Sequence, residues 1–179
     1  METRNIIDSS FQSGKNFKIG SFCIIEEGCQ VGDDVEIGNY TILHAGVKIN
    51  NGTKVGSYCE IGKRVAIGKN SIIQGRIRTG DDCTIEDDVT IKYGTILTAS
   101  VLLKRGCFLG PNVITLGSTH KRVTVHGTII GNNTYVGAGS KIAGGVELGN
   151  DITIGALAFV KTTILDSGIY VGTPVRKIK

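Results

Sequence analysis

A six-residue pattern runs through residues 31–70, whose sequence is VGDDVEIGNYTILHAGVKINNGTKVGSYCEIGKRVAIGKN. Aliphatic residues stand at every sixth position, as at Val31, Ile37 and Leu43, and the residue after them is often Gly. The fourth residue after each is small or β-branched, as at Val35. A period of six is neither the two-residue period of a simple strand nor the 3.6-residue period of a helix. The stretch therefore predicts short strands that alternate with regular corners in a coiled chain.

The same pattern extends in both directions. From Ile19 to Leu109, fifteen of the sixteen hexad positions are aliphatic, and from Ile130 to Val160 all six are. Three hexads close one triangular coil, with the aliphatic and small residues inward and Gly or Asn in the strained corner geometry. The 22 hexads predict an all-β parallel solenoid of about seven coils. The predicted organisation is an N-terminal lead-in over residues 1–18, a solenoid over 19–165 with one protruding loop over 115–129, and a C-terminal closing segment over 166–179.

The composition agrees with a narrow, aliphatic core. The 179 residues include 26 Gly but only 2 Pro and no Trp, and 6% are aromatic. Collagen would need Gly at every third position with abundant Pro, and a disordered chain would have fewer aliphatic residues, so both classes are excluded. The net charge of +4 is spread along the chain, and we expect no nucleic-acid partner.

The cysteines follow the pattern as well. All of them fall on the small inward position of a hexad, at Cys23, Cys29, Cys59, Cys83 and Cys107. No two are separated by a single coil, and Cys23 and Cys59 would lie about 9.6 Å apart along the axis, beyond the reach of a disulfide. We therefore expect reduced thiols in the core. An odd number of cysteines without a CxxC motif, signal-peptide stretch or membrane-spanning run predicts a cytoplasmic protein that does not engage a membrane.

The pattern breaks once, over residues 115–129, where the sequence is TLGSTHKRVTVHGTI. The length of this stretch is not a multiple of six, so we predict a loop that projects from the solenoid, where functional residues are often found. The loop carries His120 and His126 beside Lys121 and Arg122. From residue types alone, a solvated loop with incidental histidines accounts for the segment equally well.

The tandem motif aliphatic–Gly–x–x–small–x resembles that of the hexapeptide-repeat acyltransferases, and the resemblance covers nearly the whole chain. The resemblance implies a left-handed parallel β-helix, which is an exception to the right-handed crossover rule. It also implies a homotrimer with active sites between neighbouring subunits. The same helix serves γ-class carbonic anhydrases and domains attached to nucleotidyltransferases, so the fold alone does not give the chemistry.

Residues 110–120, GPNVITLGSTH, resemble the segment that leads into the catalytic histidine of the maltose and galactoside acetyltransferases. Pro111, Val113, Thr119 and His120 match that pattern in spacing and in type. The resemblance implies that His120 is the general base, which takes the proton of an acceptor hydroxyl as the hydroxyl attacks the thioester.

Four further residues are candidates for substrate binding. Asn112 at the root of the loop either contacts the substrate or only occupies a corner, and Lys121 and Arg122 either hold a phosphate or only solvate the loop. His126 is a second candidate base or a residue that anchors the loop. His44 lies about four coils, or ~20 Å, from the loop, so within one subunit the three histidines do not converge and no metal is expected.

Residues 130–179 resemble the C-terminal coils of the acetyl-CoA-dependent members, including a Gly-x-Pro ending at Gly172, Thr173 and Pro174. The basic tail suits the phosphates of coenzyme A, although a charged tail is common in any protein. Tyr135 stands where the family often has Trp, and the order Lys-Thr at 161–162 reverses the usual one. The resemblance places the coenzyme contacts on Tyr135, Ala138, Ala156, Lys161, Thr162, Arg176 and Lys179.

These observations predict an acyltransferase that moves an acetyl group from acetyl-CoA to a hydroxyl or amino group of a sugar, in surface-polysaccharide or nucleotide-sugar biosynthesis. The arrangement of sixteen hexads before the loop resembles that of the acetyltransferases that act on nucleotide-linked amino sugars. Those enzymes, however, have residues like Thr-Asn-Asp where this chain has LGSTH. Both O- and N-acetylation therefore stay open. Core cysteines imply direct transfer without an acyl-enzyme. The alternatives are a metal-dependent hydratase like the γ-class carbonic anhydrases and a non-catalytic trimeric scaffold.

Overall fold

The computed structural model describes residues 4–119, 121–125 and 127–179. These residues form short strands joined by tight turns, and no helix among them is long and apolar enough to cross a bilayer. The strands are β1 (Ile6–Ile7), β2 (Gln12–Ser13), β3 (Lys18–Ile19), β4 (Ile24–Ile25), β5 (Gln30–Val31), β6 (Glu36–Ile37), β7 (Ile42–Leu43), β8 (Lys48–Ile49), β9 (Lys54–Val55), β10 (Glu60–Ile61), β11 (Ala66–Ile67), β12 (Ile72–Ile73), β13 (Arg78–Thr79), β14 (Thr84–Ile85), β15 (Thr90–Ile91), β16 (Ile96–Leu97), β17 (Leu102–Leu103), β18 (Phe108–Leu109), β19 (Ile114–Thr115), β20 (Ile129–Ile130), β21 (Tyr135–Val136), β22 (Lys141–Ile142), β23 (Glu147–Leu148), β24 (Ile152–Ile154), β25 (Phe159–Val160), β26 (Gly168–Val171) and β27 (Arg176–Lys177).

The strands build three sheets, which are the three sides of a prism. Sheet A runs from β1 through every third strand to β25, sheet B runs from β2 to β23, and sheet C runs from β3 through β24 to β26. Neighbours in each sheet are parallel and usually lie three hexads apart in the sequence, as Ile25 and Leu43 do. The exception is β27, which pairs antiparallel with β26. The chain is therefore a parallel β-helix, as the hexads predict, and it is left-handed, as the family resemblance implies.

The helix has about nine coils, two more than the predicted seven. One additional coil lies within the predicted lead-in, because β1, β2 and β3 already pair with the strands of the second coil. The hexad position there is Ser13, whose side chain is exposed at the end of the helix and needs no aliphatic character. The last coil continues into the predicted closing segment, where Ile154 pairs with Tyr170, two positions earlier than a full coil would bring it.

The core is a narrow column of inward side chains, two from each hexad. Leu43, Leu103 and Val35 are fully buried, and each such aliphatic side chain contributes about 1.5–3 kcal/mol. Inward hydroxyls donate to carbonyl groups of the next coil, as Thr41 Oγ1 does to Gly56 O at 2.8 Å. Among the described residues, every buried side-chain nitrogen or oxygen has a hydrogen-bond partner. The column therefore tolerates small polar residues only where a carbonyl oxygen faces them.

The backbone angles at the corners show that the predicted role of the Gly after each aliphatic residue is wrong. Left-handed φ values occur at the third residue after each aliphatic, and this position takes Asn, Asp or Gly but also Tyr40 and Arg64, both with φ 56°. The Gly directly after the aliphatic does not have a left-handed φ; it lies against the neighbouring coil. At Gly62, for example, a Cβ atom would lie 2.5 Å from the carbonyl oxygen of Gly80. These glycines are required by the close stacking of coils, not by backbone strain.

All five cysteines are buried and reduced, as predicted. Burial raises the pKa of the Cys59 and Cys83 thiols to about 11 and also raises that of Cys107. We expect no reaction of the native protein with a thiol reagent at pH 8, since the reactive thiolate is scarce and the sulfur atoms are covered. All five thiols should react after unfolding in guanidinium. Rapid labelling of any cysteine in the folded protein would contradict the placement.

Candidate functional site

The predicted loop leaves the helix at the end of β19 and returns at β20. Leu103 pairs with Ile130 across it, whereas a regular coil would bring position 121 against Leu103, so the insertion lengthens this coil by half. Thr115 and Ile129, the predicted ends of the loop, belong to the flanking strands, so the connection between the strands is residues 116–128, of which Thr128 is buried. The loop therefore stands on the corner between sheets A and B, which we call corner AB.

The described part of the loop folds back on itself as a small hairpin. Ser118 and Thr124 pair antiparallel, and the Arg122 N–H donates to the carbonyl group of Thr119 at 2.9 Å. Lys121 and Arg122 are exposed at the tip. Two cationic side chains thus extend away from the solenoid, next to the position of the predicted base in the sequence.

His120 and His126 lie outside the described residues. The assignment of His120 as general base and of His126 as its alternative therefore stays a prediction from the sequence. The loop that carries them is nevertheless placed at a definite corner and height by β19 and β20.

A second group of predicted residues lies on corner CA, where the chain passes from sheet C to sheet A. This corner comprises residues 20–23, 38–41, 56–59, 74–77, 92–95, 110–113, 137–140 and 155–158. None of these residues is acidic, whereas the other two corners carry most of the aspartates and glutamates. Asn112, Ala138 and Ala156 all belong to it, and the structure thus brings these three predicted contacts onto one edge of the prism.

The backbone N–H groups of corner CA change partners along the axis. In the lower coils a side chain of the next coil accepts them: the Ser21 N–H donates to Asn39 Oδ1 at 2.7 Å, and the Asn39 N–H to Ser57 Oγ at 3.0 Å. In the upper coils the equivalent positions are Ala138 and Ala156, whose methyl groups accept nothing. Among the described residues, neither alanine N–H has an acceptor. These two positions, which we call the alanine strip, therefore offer backbone donors to a ligand, beside the exposed side chain of Leu157.

Lys141 lies beside this strip, although the sequence analysis did not single it out. It projects from sheet A, and its Nζ donates to the carbonyl oxygens of Gly139 at 3.0 Å and Asn112 at 3.4 Å. Asn112 itself has a left-handed φ of 55°. Its place in the coil is the signal in the sequence, because Lys141 directly follows corner CA as the first residue of β22.

The closing segment covers the top of corner CA. The Phe159 N–H donates to the carbonyl oxygen of Gly172 at 3.1 Å, and Thr173 Oγ1 donates to that of Leu157 at 3.3 Å. Arg176 lies on β27 and is exposed, as is Lys179. Arg176 is thus held near the upper end of corner CA, whereas Lys179 lies toward the other edge of sheet C, where its carbonyl oxygen accepts from the Ile169 N–H at 2.9 Å.

The other predicted coenzyme contacts lie elsewhere in the chain. Tyr135 projects from sheet C and stacks on Phe108, with ring centroids 5.1 Å apart. Lys161 and Thr162 are exposed on corner AB, after β25. Sheet A separates corner AB from corner CA within one chain, so the loop and the alanine strip lie at opposite edges of that sheet.

His44 belongs to a separate polar cluster, on corner AB far below the loop. Its Nδ1 is 2.9 Å from Glu26 Oε1, and its Nε2 is 3.4 Å from Glu60 Oε1. The hydrogen bond from His44 lowers the pKa of Glu26. A surface cavity of about 380 Å³ adjoins the cluster and is also lined by Lys63 and Arg78. Among the described residues, no group of three or more His, Cys, Asp and Glu side chains is arranged to hold a metal ion.

Comparison with known families and proteins agrees with this architecture. Residues 1–100 match the family model of the GMPPB C-terminal domain, and residues 127–162 match that of the bacterial transferase hexapeptide (six repeats). A serine acetyltransferase of Staphylococcus epidermidis is 31% identical over 122 residues, which are 67% of this chain and 46% of that protein. The bifunctional protein GlmU of Acinetobacter baumannii is 29% identical over 54% of this chain and 21% of its own length. The chain thus spans less than half the length of these curated relatives.

Two solved structures share the fold. LpxA from Acinetobacter baumannii superposes with a TM-score of 0.89 over 99% of this chain and 72% of its own, at 16% identity. PerB from Caulobacter crescentus, solved in complex with CoA and GDP-perosamine, superposes with a TM-score of 0.64 over 71% of this chain and 57% of its own, at 21% identity. Because the match over residues 1–100 spans more than half of the chain, the chain belongs to the family of GMPPB C-terminal domains, and its residues 127–162 carry the hexapeptide repeat of the bacterial transferases.

Proposed function

We propose that the protein transfers an acetyl group from acetyl-CoA to a sugar, at sites formed between neighbouring copies of the chain. The observation that carries the proposal is the upper half of corner CA, where acidic side chains are absent and backbone donors are uncapped. The relatives named as acetyltransferases and the neighbour solved with CoA and a nucleotide sugar support the choice of this chemistry.

The strip offers the features that an extended phosphorylated thioester needs. The N–H groups of Ala138 and Ala156 are placed to donate to the amide carbonyls of a pantetheine arm. Arg176 and Lys179 in the closing segment are the cations for its phosphates. Small side chains let the coenzyme approach the backbone, and a bulky residue in the strip would block it.

The chemistry follows from a base on the loop opposite that strip. His120 takes the proton of the acceptor oxygen or nitrogen as that atom attacks the thioester carbonyl. Backbone N–H groups stabilise the oxyanion of the tetrahedral intermediate, which collapses to the acetylated sugar and the thiolate of CoA. The proton held by the imidazole then passes to the departing sulfur. Both an amine and a hydroxyl fit this scheme as acceptors.

Two copies are required because one chain carries the two halves of the site at separate edges. The loop stands on corner AB and the alanine strip on corner CA, with sheet A between them. If corner AB of one copy faces corner CA of the next, a closed ring of three copies forms three equivalent sites. We therefore propose a homotrimer, as the family resemblance implies.

Filling the strip is expected to weaken coenzyme binding. Ala156→Tyr introduces a ring where the coenzyme lies, and we expect the Kd for acetyl-CoA, measured by calorimetry, to rise by at least about tenfold. Lys69→Tyr is the matched control, since Lys69 occupies the same place in the hexad on the corner between sheets B and C and its side chain is exposed. Absence of acetyl-CoA binding by the wild-type protein would favour a non-catalytic scaffold.

A further inference from the structure

Arg76 occupies an unusual environment on corner CA, three coils below the alanine strip. It is exposed and has a left-handed φ of 55°. The carbon of its guanidinium group lies 5.9 Å from the ring centroid of Tyr58 and 5.6 Å from that of Tyr93. The guanidinium thus lies between an aromatic ring of the coil below and one of the coil above, and among the described residues its N–H groups form no hydrogen bond.

Three other arginines of the helix are paired with carboxylates. Arg64 contacts Asp82 at 2.6 Å, Arg78 contacts Glu60 at 3.3 Å, and Arg105 contacts Asp87 at 2.8 Å. Within the described residues, Arg76 forms no ion pair with a carboxylate. Corner CA also carries no acidic residue at any height, so the charge of Arg76 is not offset by its neighbours along the edge.

The position of the Tyr93 ring depends on a neighbouring glycine. A Cβ atom at Gly75 would lie 2.9 Å from Tyr93 Cε2, so only Gly leaves room for the ring over Arg76. On the other side, Tyr58 continues a stacked column through Tyr40, with ring centroids 5.0 Å apart. The guanidinium is therefore held in place before any ligand arrives, which reduces the entropy lost on binding.

A second cation and the length of corner CA also suit a ligand that carries phosphates. Lys92 stands on corner CA one coil above Arg76, with its Nζ 5.6 Å from the ring centroid of Phe108. Asn112 lies two coils above Arg76, a rise of about 10 Å along the edge. That span suits a ligand whose sugar lies near Asn112 and whose phosphates extend down the corner.

We propose that Arg76, held between Tyr58 and Tyr93, binds a phosphate of the acceptor, with Lys92 beside it, and that the acceptor is a sugar carrying a diphosphate. A planar guanidinium with open N–H edges donates two parallel hydrogen bonds to phosphate oxygens, which gives orientation as well as affinity. The identity of the ligand as an acceptor rests on the proposed acetyltransferase function. The phosphate site itself rests only on the geometry around Arg76.

Binding of UDP by the whole protein tests the proposal. We expect Arg76→Gln to raise the Kd for UDP at least about tenfold, and Arg76→Lys to raise it less, since lysine keeps the charge but not the planar fork. Arg105→Gln is the control, because Arg105 is exposed but already paired with Asp87. Acetyl-CoA affinity should be the same in all variants, and thermal unfolding verifies that each one folds.

Each outcome separates the two proposals. Equal UDP binding by wild type and Arg76→Gln, or no UDP binding by the wild type, overturns the phosphate site even if acetyl-CoA binds. If the wild-type protein binds UDP but not acetyl-CoA, the proposed acetyltransferase function is overturned and the proposed phosphate site is supported. Inorganic pyrophosphate and glucose 1-phosphate are the comparison ligands: weaker binding of both than of UDP supports a nucleotide-linked acceptor, and tightest binding of glucose 1-phosphate contradicts the diphosphate.

Discussion

His120→Ala is expected to lower kcat for acetyl transfer to a hydroxyl by about 10²–10⁴-fold, because a sugar hydroxyl attacks a thioester slowly until a base takes its proton. The KM for acetyl-CoA should change little, since we propose that the coenzyme contacts the alanine strip on corner CA and not the loop. Release of CoA, followed with a thiol reagent, measures the rate. An amine acceptor that is already deprotonated needs the base less, so a smaller loss with amino sugars than with hydroxyl sugars would indicate N-acetylation.

Val123→Ala is the matched control for the loop, because Val123 is 58% exposed near the tip and has no assigned role. Full activity in His120→Ala would rule out His120 as the general base. In that case His126→Ala becomes the informative variant, since His126 is the other histidine of the loop. Equal losses in His120→Ala and Val123→Ala would instead mean that the loop matters only for its shape.

Together with Ala156→Tyr, the His120→Ala variant also tests whether the active site lies between two copies of the chain. His120→Ala chains keep an intact strip, and Ala156→Tyr chains keep an intact loop. If the two are unfolded together and refolded as mixed trimers, about one interface in four joins an intact loop to an intact strip. At an acetyl-CoA concentration that fills the wild-type strip but not the Ala156→Tyr strip, we expect about a quarter of the wild-type activity to return from two proteins that are each nearly inactive. No recovery in verified mixed trimers would place loop and strip in the same copy.

The hexads predicted the fold and most of the core because each inward position faces the same surroundings in every coil. The number of coils was underestimated where that reasoning weakens, at the two ends. Ser13 has no coil beneath it and is exposed, and the last coil pairs Ile154 with Tyr170 after a shift of two positions. Neither position needs to obey the hexad, so neither could be recognised by it.

The site was harder to predict because it depends on which edge a residue occupies. The hexad fixes whether a residue points inward or outward, but only its place in the three-hexad coil assigns it to corner AB, BC or CA. Arg76 stands on corner CA and Lys141 directly follows it, and this shared location depends on the three-hexad coil and not on the hexad alone. The absence of acidic residues on corner CA is likewise invisible in the overall charge of +4.

Gly62→Ala is expected to destabilise the protein by about 1–3 kcal/mol, a cost typical of overpacking. An added Cβ would lie 2.5 Å from the carbonyl oxygen and 2.6 Å from the carbonyl carbon of Gly80. The obstacle is backbone, so no side chain can rotate away, and the fourth and fifth coils must separate. The Gly62 N–H, which donates to Thr79 Oγ1 at 2.9 Å, would lose its alignment as they do. The midpoint of urea unfolding measures the effect.

Gly46→Asn is the matched control and reverses the usual expectation for glycine. Gly46 has a φ of +74°, which ordinarily favours Gly, but a Cβ there would come no closer than 3.5 Å to Arg64 Cγ. Asparagine takes this corner conformation at Asn70 and Asn133 in the same helix. We expect a change in stability below about 1 kcal/mol, and even a gain, because replacing Gly restricts the unfolded chain. If Gly46→Asn destabilises the protein more than Gly62→Ala, backbone strain and not the spacing of the coils decides where this helix needs glycine.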